Sequence, residues 1–139
     1  MNVLNLTTHK IVVYAEDHES ILKTYEPHGF HATLESEPQK VEEELSKKYE
    51  VPISTCQSFT SCNMPTEDIL KNADAIIVSM PVGQHLAQKL ETSSFEPTYD
   101  ILGPDMGPKN RVDGENGPKG TTRLNVYVKS VNPRKRKNN

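Results

Sequence analysis

The stretch from Asp74 to Leu90, DAIIVSMPVGQHLAQKL, limits what this chain can become more than any other. Ala75 to Val78 form an unbroken apolar run between Asp74 and Pro81, the pattern of a short strand covered on both faces. Beyond Pro81 the period changes. Val82, Leu86 and Leu90 recur every four residues while Gln84, Gln88 and Glu91 fall on the other side, which predicts an amphipathic helix. A buried strand therefore feeds a helix, and Ser79, Met80 and Pro81 at the joint leave backbone N–H groups where an anion or polar ligand can sit. Taken alone the unit is ordinary core. The polar residues around Ser79 are expected to floor a pocket whose walls come from elsewhere, chiefly the turn-rich stretch after Thr92.

The 139 residues suit one domain, but only 34% are hydrophobic and ten are proline. With a mean hydropathy of −0.66, the core must be thin and the connections long and polar. Subunit contacts that complete such a core are expected. Charge is uneven: Lys129, Arg134, Lys135, Arg136 and Lys137 crowd the last 11 residues, and without them the 16 bases fall to 11, against 19 acids. An acidic body lacks the broad positive surface that a nucleic-acid polymer requires. The expected division is a ligand-binding domain over 1–128 and a basic disordered tail over 129–139. No apolar run approaches the ~20 residues that cross a bilayer, so no membrane partner and a cytoplasmic location are expected. Cys56 and Cys62 have no zinc-knuckle spacing and read as two reduced thiols.

Along the chain, Ile11–Ala15 and Ile21–Tyr25 read as a β-hairpin, with Val3–Leu6 either paired to it or leading in. Glu26-Pro27-His28-Gly29 supplies a turn, after which Phe30–Glu35 returns as a strand. Ser36, with Gln39 three residues on, resembles a helix cap, and Val41, Leu45 and Tyr49 give the helix that follows one apolar face over about three turns. Val51 to Phe59 should be extended, Thr60 to Pro65 a loop, and Thr66 the cap of a single turn through Leu70. Thr121–Val128 alternates as a final strand, with Leu124, Val126 and Val128 on one face. Arg111-Val112 should pair back onto that strand through the turn dipeptides Asp113-Gly114 and Asn116-Gly117. The expected fold class is α+β, a small single domain with an antiparallel β-sheet and two or three helices, oligomeric.

Catalytic patterns fail one by one. His28 and His31 stand three apart with no acid or thiol tied to them, so no metal site is expected. Ser79 lacks the flanking glycines of a nucleophile elbow. The glycines of GPDMGPKNRVDGENGPKG lack the Gly-Lys-Ser/Thr ending of a phosphate loop. What remains is binding: Arg111, Arg123 and Lys109 can meet phosphate, and Phe95, Tyr99 or Phe59 can stack on a base. Localised arginines on an acidic body suit a small nucleotide. Neither a cofactor nor catalysis is expected.

Six short motifs in fixed order carry a resemblance: Asn5-Leu6-Thr7-Thr8-His9, Pro27-His28-Gly29, Val51-Pro52-Ile53-Ser54-Thr55, Ile77-Val78-Ser79-Met80-Pro81-Val82, Arg111-Val112-Asp113-Gly114 and Thr122-Arg123-Leu124. Over residues 3 to 126 the chain resembles the Thoeris anti-defence protein 1 family of phages. It departs from the family at Thr8, where a proline is usual, at Pro81, and at Asp113, which is displaced by one position. The resemblance implies a cytosolic homo-oligomer, a dimer that can assemble into a hexamer, which sequesters a host immune signal without cleaving it. The implied ligand is glycocyclic ADP-ribose, and some members also hold cyclic di- or trinucleotides at a separate site between subunits. It carries over Gly29 for close backbone approach, Thr55 for a hydroxyl hydrogen bond, and Arg111 and Arg123 for phosphate. Chemistry alone adds Phe95 for base stacking and Asp113 for ribose hydroxyls. Two other readings compete: a phosphodiesterase or nucleosidase that destroys the same signal, and a phage protein that blocks a host partner by contact.

Overall fold

The computed structural model describes residues 1–56 and 58–131, so most of the basic tail lies outside the described residues. The centre of the fold is strand β6, Ala75–Ile77, whose three residues are all buried. On one side it runs parallel to β1, Val3–Asn5, with Leu4 opposite Ile76. On the other it runs parallel to β7, Asp100–Pro104, with Ile76 opposite Ile101. Strand β10, Leu124–Val128, closes this sheet antiparallel to β7. Helix α3, Met80–Thr92, starts directly after β6 with Pro81 in its first turn and buries Val82, Gly83 and Leu86. The strand–helix expectation therefore holds, because an apolar run too short for a helix is most cheaply buried as a central parallel strand. Around it Leu6, Ile76, Val78, Leu86, Ile101 and Val128 form the main core.

A second sheet has the order β3-β2-β9-β8. Strands β2, Ile11–Tyr14, and β3, Ile21–Tyr25, are the expected hairpin. Strands β8, Arg111–Gly114, and β9, Gly117–Thr121, form another, with Gly117 at φ +116° beside the Glu115–Asn116 turn. Arg111 and Val112 do pair backwards, but onto Thr121 and Gly120 of β9 rather than onto the final strand, since the expected run Thr121–Val128 divides between β9 and β10 in different sheets. The opening residues do not join the hairpin: β1, with Leu4 and Asn5 buried, is taken into the central sheet beside β6. With ten strands and three helices among the described residues, the fold is α+β. The parallel β1-β6-β7 core makes its central sheet mixed.

Local expectations fail between Ser36 and Asn63. Ser36 caps nothing: it ends β4, Thr33–Ser36, which pairs with β5, Phe59–Asn63, where a loop was expected. No helix forms over 37–42 because this segment bonds across to Ile53, Thr55 and Ser58, Glu37 N–H to the Ser58 carbonyl (3.0 Å), Thr55 N–H to the Lys40 carbonyl (2.8 Å) and Glu42 N–H to the Ile53 carbonyl (2.8 Å). Backbone pairing outweighs a cap motif here, and helix α1 is only Glu43–Tyr49. Thr66 does start the short α2, Glu67–Leu70, though its side chain makes no capping bond. The alternation of the last strand also breaks. The register of β10 shifts between Val126 and Val128, so Val126 is exposed, Val128 is buried and Tyr127 turns to the helix. A bulge re-aims a side chain in this way.

Candidate functional site

A cleft of about 640 Å³ opens at the carboxyl ends of the parallel strands, where ligands of open α/β sheets usually bind. Its floor is Ser79 and Met80 at the start of α3, and its walls are Thr7, His9, Ile11, Pro104, Asp105, Met106, Asn125 and Tyr127. Ser79 thus lies where the sequence places it, with walls from beyond Thr92.

Each wall has an identifiable support. Strand β1 ends on Asn5, which is 1% exposed and satisfied at both ends of its amide. Its Nδ2 donates to the carbonyls of His9 (2.8 Å) and Tyr25 (2.9 Å), and its Oδ1 accepts the Thr7 N–H (3.0 Å) and the Thr7 hydroxyl (2.7 Å). The Asn5-Leu6-Thr7-Thr8-His9 motif is thereby a pinned loop that sets Thr7 and His9 at the cleft. On the far wall the Asp105 carboxylate accepts the Gly107 N–H and the Asn110 side-chain amide, both at 2.9 Å. Thr121, fully buried, donates its hydroxyl to the Asp105 carbonyl at 2.6 Å. Two hydrogen-bonded pins therefore hold a loop that glycine and proline would otherwise leave loose.

Tyr127 makes the back wall. Its ring lies between two glycines so closely that a Cβ on Gly83 would stand 2.3 Å from Tyr127 Cδ2, and one on Gly103 2.7 Å from Cε2. Only glycine on α3 and on β7 lets the ring in. Burial, and then the nearby Asp105 carboxylate, pushes the Tyr127 hydroxyl above its ordinary pKa, so it stays a neutral donor. An adjoining lobe of about 280 Å³ shares His9, Ile11, Pro104 and Met106 with the cleft and adds Lys10 and Lys119. The Lys119 ammonium is held 5.3 Å from the centre of the Tyr14 ring. Apolar and aromatic walls thus pass into a rim with two lysines, an arrangement that can hold a ring and an anionic group together. Among the described residues, no three His, Cys, Asp or Glu side chains are grouped to hold a metal.

The six residues expected from sequence lie outside the lining of this cleft. Gly29 does need its glycine, at φ +109°, but in an exposed turn with nothing within 4 Å of a Cβ. Thr55 braces the segment before α1, its hydroxyl accepting the Lys40 N–H at 2.9 Å. Phe95 packs on the main core with the Lys89 ammonium 5.1 Å from its ring centre, so one face is already covered. Arg111 and Asp113 do come together, as an ion pair 2.9 Å apart that is partly exposed on β8. Arg123 is exposed, and its main chain supports the cleft: its carbonyl accepts the Asp105 N–H at 3.0 Å. The residues that sequence reasoning passed over are Thr7, His9, Met106 and Tyr127. For His9 a signal existed, since it closes the first motif. For Tyr127 there was none, because a tyrosine in an alternating strand does not announce a bulge. Comparison of the chain with protein-family models, with curated proteins and with solved structures found no match.

Proposed function

We propose that the chain binds a cyclic nucleotide signal of the glycocyclic ADP-ribose type in the strand-end cleft, and retains it uncleaved. In this reading it is a phage anti-defence sponge acting in the host cytoplasm, as the resemblance implies. The observation that carries the binding half is the two-part cleft, whose aromatic and apolar walls adjoin Lys10 and Lys119. Its volume lies within the roughly 300–1,000 Å³ of small-molecule sites. Tyr127, Met80 and Met106 suit the face of a base, and the lysines with the first free N–H groups of α3 suit a pyrophosphate. Ser79 and Asn125 supply neutral hydrogen bonds for ribose hydroxyls.

The test is retention. Protein mixed with glycocyclic ADP-ribose at equal concentration should remove it from the filtrate, and heat denaturation should return it with its mass unchanged. Release of a hydrolysed product refutes the sponge reading in favour of an enzyme. Tyr127→Ala should weaken binding at least tenfold, whereas Arg111→Ala should leave it unaltered. The reverse outcome moves the site to β8.

A further inference from the structure

A groove of about 410 Å³ runs between strand β5 and helix α3 and shares no lining residue with the strand-end cleft. One wall is Phe59, Thr60, Ser61 and Cys62, four consecutive residues of β5. Successive side chains of a strand point to opposite faces, so a hollow that touches all four lies along the strand's edge. The floor is His85, Gln88, Lys89 and Thr92, whose spacing places them on one stripe of α3. An adjoining hollow of about 240 Å³ carries the same stripe back through Gln84 to Pro81, with Phe59 at the junction.

The edge that faces this groove is open. Strand β5 pairs only with β4, in a two-stranded sheet, so among the described residues its other edge has no strand partner. Proteins commonly blunt such edges with charge or proline, and Phe-Thr-Ser-Cys-Asn has neither. Its register against β4 shifts next to Phe59, which leaves Ser61–Asn63 as the regular part of the edge. Length fits an extended guest: from Pro81 to Thr92 the floor measures about 16 Å, and five residues of strand span about 17 Å. Charge then selects the guest's chemistry. The side chains lining the two hollows include Lys89 and His85 and no acid, on a body with 19 acids against 11 bases once the last 11 residues are set aside. The Lys89 ammonium, 5.1 Å from the centre of the Phe95 ring, is positioned by that contact without being neutralised. We propose that the β5–α3 groove takes an extended acidic segment of another protein as a third strand, its backbone on the free edge of β5 and its alternate side chains over the α3 stripe, with a carboxylate at Lys89.

Fluorescence anisotropy of labelled synthetic peptides against the full chain tests this. The peptide ETEVETE should bind, and KTKVKTK should bind weaker by about tenfold or more. Backbone N-methylation separates strand pairing from side-chain contact: methyls on one alternate set of residues should abolish binding, and methyls on the other set should leave it intact. Lys89→Glu should weaken ETEVETE by about tenfold or more, with circular dichroism and urea midpoint unchanged. Tyr127→Ala, in the cleft, should leave peptide binding as it is. Failure of ETEVETE to bind at millimolar concentration overturns the proposal, whether the groove stays empty or is closed by a second copy. So does equal binding of KTKVKTK, indifference to both N-methylated peptides, or loss of binding on Tyr127→Ala in place of Lys89→Glu.

Discussion

Replacing Gly83 by alanine sets two known effects against each other at one position. In a helix interior the change should stabilise by about 1 kcal/mol, since alanine loses less backbone freedom on folding. Here the new methyl would meet three carbons of the Tyr127 ring at 2.3, 2.5 and 2.6 Å, well inside any tolerable contact. The ring has little room to move, because Gly103 also lies against it: a Cβ built there would stand 2.7 Å from Tyr127 Cε2. Overpacking of this kind costs about 1–3 kcal/mol, so Gly83→Ala should be destabilising by about 1 kcal/mol net. In urea that moves the midpoint down by roughly 0.5 M at the slopes usual for small domains. The decisive measurement is a double-mutant cycle. With Tyr127→Ala in place the clash is gone, and Gly83→Ala should then stabilise by about 0.5–1 kcal/mol, giving a coupling near 2 kcal/mol. Gly103→Ala is an internal control. Its methyl would also meet the Val78 carbonyl oxygen at 2.9 Å, a backbone atom that removing Tyr127 leaves in place, so it should stay destabilising in both backgrounds. Additive effects at 83 and 127, or a Gly83→Ala protein as stable as the wild type, would refute the account of how the back wall is built.

Two further outcomes are expected. Asn5→Ala strips partners from the His9 and Tyr25 carbonyls and the Thr7 N–H in a buried place, and should cost about 2–4 kcal/mol in chemical denaturation, with faster hydrogen exchange at Thr7. Burial, reinforced by Glu67 and Cys62, raises the Tyr99 hydroxyl to about 12 from an ordinary value of 10.0. The unfolded chain therefore loses this proton first as pH rises, so stability should decline between about 10 and 12. Tyr99→Phe should remove that component of the decline, and an unchanged pH profile would count against the shift.

What was legible in the sequence follows from which forces act locally. The β6–α3 unit could be read because its apolar run and its four-residue period are each set by one element burying one face, as Ile76 and Leu86 do. The two hairpins could be read because Ile11–Tyr14 and Arg111–Gly114 meet partners nearby in the chain, across turns whose residues show themselves. The segment after Ser36 could not. A cap signal is worth about 1 kcal/mol, and it lost to a ladder whose other strand begins more than 20 residues later. The cleft was half legible for a related reason. Ser79 belongs to the periodic unit and was found, but Thr7, Asp105 and Tyr127 come from segments far apart in the chain, and what aims them is a buried amide, a buried hydroxyl and a bulge. Asparagine, threonine and glycine look the same in sequence whether they form an exposed turn, as Gly29 does, or pin a wall, as Asn5 and Thr121 do. A search guided by charge therefore selects Arg111 and Asp113, which satisfy each other on β8. A pocket is defined by what its groups leave unsatisfied, and in this chain that directs attention from the arginines to the Tyr127 face and the two lysines beyond it.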